Sequence, residues 1–68
     1  MLKAFKDRAG RVYPFVHVTR AFKESTTSIV LYILHTEYSQ TIFFASEKER
    51  DTQFANFEKW LTTTPNLL

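Results

Sequence analysis

The sequence predicts an α+β domain: a four-stranded antiparallel β-meander followed by one C-terminal α-helix packed on one sheet face. Three observations carry this. The only glycine of the 68 residues, Gly10, sits in a turn between two strand-like runs. β-Branched and aromatic residues recur up to Ala45, interrupted by short polar breaks. After Ser46 the hydrophobic spacing changes from a strand period to a helix period.

The first hairpin follows from Asp7-Arg8-Ala9-Gly10-Arg11. A three-residue hairpin loop ends in a residue of positive φ, which glycine adopts without a Cβ clash. Strands over about 2–7 and 11–23 are therefore expected to pair. Pro14 cannot donate to a ladder, so its position falls at an edge, at a bulge or beyond the paired region. The polar run 24–28 leads to Ile29-Val30-Leu31-Tyr32-Ile33-Leu34, the expected centre of the third strand, about 28–36. A second break, 37–40, leads to the fourth strand, about 41–45.

Ser46-Glu47-Lys48-Glu49 has the spacing of a capping box, in which the serine hydroxyl accepts from the Glu49 amide. Glu47, Glu49 and Asp51 also suit the positive end of a helix dipole. The helix is expected over about 47–62, with Phe54, Phe57 and Leu61 as its apolar stripe and Trp60 beside them. Pro65 ends it, and residues 65–68 form a loose tail of the single domain 1–68.

Composition bounds the function. The hydrophobic share of 44% and the seven Phe, three Tyr and one Trp belong to a chain with a core. There is no cysteine and no apolar stretch near the roughly 20 residues of a membrane span, and the first residues lack the apolar region of a signal peptide. The expectation is a cytoplasmic protein without disulfides and with no membrane partner. Net charge is +2, but it is unevenly placed. Through Lys23 six basic residues stand against Asp7, whereas from Glu24 onward three basic residues stand against six acids. Such asymmetry suits an anionic partner or a second copy of the chain.

Register by parity divides the strands into two apolar faces. Pairing Glu24 with Ser28 and Thr36 with Thr41 puts Val16, Val18, Phe22, Val30, Tyr32, Leu34, Phe43 and Ala45 on one. Ile29, Leu31, Ile33, Ile42 and Phe44 fall on the other. One helix covers one face, and leaving the second in water would forfeit about 1.5–3 kcal/mol per large side chain. Ile29, Leu31, Ile33, Ile42 and Phe44 are therefore the candidate dimer or partner face, and a homodimer or another protein its expected cover.

Catalytic chemistry finds little support. The serines at 25, 28, 39 and 46 sit at turns or caps, one glycine cannot build a phosphate loop, and the acids at 47, 49 and 51 answer to a helix start. The parity register brings His17, His35 and Glu37 to one side, the beginning of a metal site that packing explains as well. No enzyme, cofactor or metal is expected. Nucleic acid has a better case, because Lys3, Lys6, Arg8 and Arg11 alternate with Phe5, Tyr13 and Phe15, with Arg20 and Lys23 adding charge. The segment from Thr41 to Leu61 resembles the last strand and helix of pleckstrin-homology-like domains. Those domains place seven strands before that helix, so neither lipid binding nor any residue role is carried over. The leading expectation is a small non-catalytic binding or regulatory protein acting as a homodimer; the alternative is a nucleic-acid binder using the basic, aromatic N-terminal hairpin.

Overall fold

A computed structural model describes residues 3–36 and 38–63. It is an α+β protein of antiparallel strands with one C-terminal helix packed on them. Five strands replace the expected four. Strands β1 (Ala4–Lys6) and β2 (Val12–Pro14) form a two-stranded sheet, a 3-10 turn (Phe15–His17) follows, and β3 (Val18–Ser25), β4 (Ser28–Ile33) and β5 (Ser39–Phe43) form a three-stranded sheet in that order. Helix α1 spans Glu47–Thr63. The expected tail, 65–68, and Glu37 lie outside the described residues.

The first hairpin closes on Gly10 at φ 87°, after the loop residues Arg8 and Ala9. Asp7 organises the loop: its Oδ1 accepts from the Ala9 and Arg11 amides at 3.0 and 2.9 Å. The strand expected over 11–23 breaks at Pro14, which precedes the 3-10 turn. Phe15 N donates to Lys3 O and Asp7 N to Arg11 O, so Pro14, paired with Ala4, falls at a position whose N–H would point away from β1. Its missing donor therefore costs the hairpin nothing, while the break swings Phe15 into the core.

In the larger sheet Phe22 pairs with Val30, as parity predicts, but bulges at Thr19 and Glu24 interrupt β3. The first bulge turns Val18 to the core side, away from Phe22. Between β4 and β5 Thr41 pairs with Val30 rather than Thr36. The displacement is an even number of residues, so the loop is longer than expected yet each side chain keeps its face.

The helix takes the face of Ile29, Leu31, Ile42 and Phe44. All four are buried with Phe5, Phe15, Val18, Phe57 and Trp60 in one cluster, with Ile33 packed against it. This corrects the expected partner face: those side chains form the chain's own core. The aromatic centre is dense, with Phe15 ring centroids 5.0, 5.2 and 5.6 Å from those of Phe5, Phe57 and Trp60. Edge-on pairs of this kind add about 0.5–1.5 kcal/mol beyond area burial.

The buried helical stripe is Arg50, Gln53, Phe57 and Trp60, whereas Leu61 is exposed. Two polar residues on the stripe hide it from a hydrophobic count. Each ties the helix to a strand. Gln53 receives Lys6 N on Oε1 and donates from Nε2 to Lys6 O, both at 2.8 Å, so its amide pairs with β1 as another strand would. Arg50 donates to Ser25 O and, through Nε, to Asp51 Oδ1 at 2.9 Å.

Candidate functional site

With the helix on one face, no other element covers the opposite face of the three-stranded sheet among the described residues. Alternation along the strands places Arg20 and Phe22 of β3, Val30 and Tyr32 of β4, and Thr41 and Phe43 of β5 on it. Phe22, in the middle of β3, and Phe43, the last residue of β5, are 40% and 47% exposed. Tyr32 is half-buried and Val30 is buried between its neighbours. Phe22 and Tyr32 lie with ring centroids 6.3 Å apart.

Two guanidinium groups sit on these rings. Arg20 Cζ is 4.7 Å from the Tyr32 centroid and 5.9 Å from that of Phe22. Arg8, on the hairpin loop, reaches to 5.8 Å from the Phe43 centroid. Arg8 is held there by its backbone, because its amide donates to Phe43 O at 2.8 Å. That carbonyl is available because Phe44 N bonds Thr27 O, which makes Thr41 and Phe43 the residues whose backbone groups point away from β4.

Beside Phe43 the hairpin loop and β5 enclose a pocket of about 190 Å³, with Arg8, Arg11, Tyr13, Gln40 and Thr41 in its wall. Neither arginine of the pocket has an ion-pair partner among the described residues. Asp7 lies at its base, but the Tyr13 hydroxyl donates to Asp7 Oδ2 at 3.2 Å in addition to the two amide bonds. Burial, and then the neighbouring Asp7 carboxylate, push the Tyr13 phenol above its ordinary value, which keeps it a proton donor. Gln40 Nε2 donates to the same hydroxyl at 3.3 Å, joining β5 to the hairpin. The acids of the C-terminal half are concentrated on the helix, at Glu47, Glu49, Asp51 and Glu58, across the sheet from this surface.

Of the basic residues expected to contact an anion, the structure brings Arg8, Arg11 and Arg20 to the open face and its margin. Lys3 and Lys6 are exposed on the first strand region. Lys23 turns to the helix side, 3.3 Å from Asp51 and 5.3 Å from the Phe54 ring centre. Phe5 and Phe15, expected as stacking partners on the hairpin, are buried. The exposed rings of the open face are instead Phe22 and Phe43, on strands beyond it. Alternation puts both on one face, but the sequence does not say which face the helix takes.

His17 is exposed in the 3-10 turn and His35 is exposed at φ 68° after β4. No group of three potential ligands is assembled among the described residues. Ser25 and Ser28 bond each other at 2.6 Å, and Ser46 Oγ accepts from Glu49 N at 3.1 Å, the first half of the expected capping box. Among the described residues no helix is long and apolar enough to cross a membrane. Comparison with protein-family models, curated proteins and solved structures finds no match to this chain.

Proposed function

We propose that the protein is a non-catalytic binder of single-stranded nucleic acid, which it lays across the open face of the three-stranded sheet. The observation that carries this is the stacking of guanidinium groups, without an ion-pair partner among the described residues, on the rings of the open face: Arg20 on Tyr32 and Phe22, Arg8 on Phe43. Bases stack on aromatic rings and on guanidinium planes whatever their sequence, at about 1–3 kcal/mol per base. Phosphates are drawn to the charges between the rings. The pocket bounded by Arg8, Arg11 and Thr41 lies beside Phe43, where a phosphate next to a stacked base would fall.

Charge separates this partner from a second copy seated face to face. Such a copy would bring its Arg8 and Arg20 against the same residues of the first, and like charges in contact disfavour it. An anionic strand reverses the sign of that contribution.

The test is fluorescence anisotropy of a labelled mixed-sequence oligonucleotide, single-stranded or duplex, over a range of salt. Three arginine–phosphate contacts give a slope of about −2 in log affinity against log salt for the single strand. Phe43→Ala should weaken binding by about 5- to 150-fold, and the duplex should bind less well. Absence of salt-sensitive binding at low salt would overturn the proposal.

A further inference from the structure

The outer edge of the sheet carries an independent inference. The backbone groups of Ile29 and Leu31 are turned to β5, so those of Val30 and Tyr32 bond Phe22 and Arg20. Ala21 and Lys23 therefore point their N–H and C=O groups away from the sheet. Bulges at Thr19 and Glu24 bound this segment at both ends. At one, Thr19 Oγ1 donates to Tyr32 O at 3.0 Å across the first bulge. At the other, Ser25 O accepts from Arg50 beyond the second. Between them, residues 20–23 form a regular edge that no other strand pairs with among the described residues.

We infer that two copies of the chain pair along β3, antiparallel and related by a dyad through Phe22. The pattern of free backbone groups fixes this register. Ala21 of one copy and Lys23 of the other exchange a hydrogen-bonded pair on each side of the dyad, and Phe22 meets its own copy at the closer, unbonded position. The same register brings Arg20 alongside the bulge residue Glu24 of the second copy, twice. Glu24 is exposed and has no ion-pair partner among the described residues, so it is free for that contact. No other self-pairing of this edge that satisfies Ala21 and Lys23 together also matches the charges. The result is a continuous six-stranded sheet whose exposed rings lie on one side. Bulges and an edge lysine commonly keep edges apart. Here the bulges flank the open segment, and the lysine side chain is drawn to Asp51 on the helix side, 3.3 Å away.

Sedimentation of the whole chain over a dilution series, without nucleic acid, tests the pairing. The wild type should shift from monomer to dimer toward high micromolar concentration. Ala21→Pro removes an outward donor without touching the β4 ladder, and should leave a folded monomer. Arg20→Glu and Glu24→Arg should each weaken the dimer by about tenfold or more, because like charges then face each other twice. The double reversal should restore it, which a variant merely damaged in folding would not. A monomer at every concentration would overturn the inference, and so would a dimer indifferent to these substitutions.

Discussion

Gln53 is the residue through which the helix and the first hairpin become one structure. It is 8% exposed, and both ends of its amide are used on the backbone of Lys6. Without it the part-buried N–H and C=O of Lys6 lose their partners, at about 0.5–1.5 kcal/mol net for each hydrogen bond. Gln53→Ala should therefore lower unfolding free energy in urea by about 1–3 kcal/mol. Gln53→Glu should do at least as much harm, since a carboxylate cannot donate to Lys6 O. A variant of unchanged midpoint would show that the bridge contributes nothing. The sequence signals this role weakly: a glutamine at a helical position reads as solvated surface, and only its spacing to Phe57 and Trp60 places it on the buried stripe.

At the scale of elements, the legible features are those set by local chemistry. Gly10 with Asp7 three residues before it specifies the hairpin loop, and Ser46 with Glu49 specifies the helix start. An ideal Cβ at Gly10 would meet nothing within 4 Å, so Gly10→Ala isolates the backbone contribution at φ 87°. It should destabilise by about 1–2 kcal/mol in a thermal or urea melt, without rearranging the core. A change near zero would mean that the loop relaxes to another turn. What escaped the sequence depends on long-range packing. Nothing near Val12–Lys23 says that Pro14 ends one sheet and starts a turn into another, because a proline at a non-bonded edge position would be tolerated in a continuous strand as well. The bulge at Thr19 reverses Val18 relative to Phe22, and parity assigned without it places Val18 wrongly. Parity of β4 and β5 is robust to the misplaced register, so the two faces come out correctly. Which of the two apolar faces holds the core is not legible, because a helix whose buried stripe includes Arg50 and Gln53 does not announce the side it covers.

For the whole molecule, the two faces of the sheet are distinguished by charge as much as by burial. The helix side carries the ion pairs of Arg50 and Lys23 with Asp51. A hydrogen bond from Arg50, supported by Lys23, holds the Asp51 carboxyl below its ordinary value of 3.8. A depressed carboxyl stabilises the fold above its unfolded value and loses that contribution as pH falls through its folded one. The thermal midpoint should accordingly fall below about pH 4, and Asp51→Asn should lie under the wild type at neutral pH but converge with it in acid. A constant difference between them at all pH values would assign the effect to packing. The open side has the opposite character, with guanidinium groups resting on its rings and, among the described residues, no acid ion-paired to them. Dimerisation along β3 would join two such surfaces end to end, lengthening the path available to a strand. The measurement closest to this claim is a titration of isotope-labelled protein with a short single-stranded oligonucleotide, followed by amide chemical shifts. Shifts concentrated at Arg8, Arg20, Phe22, Tyr32, Thr41 and Phe43, with the helix from Glu47 to Thr63 nearly silent, are the predicted result. Shifts confined to the helix, or none at low salt, would contradict it.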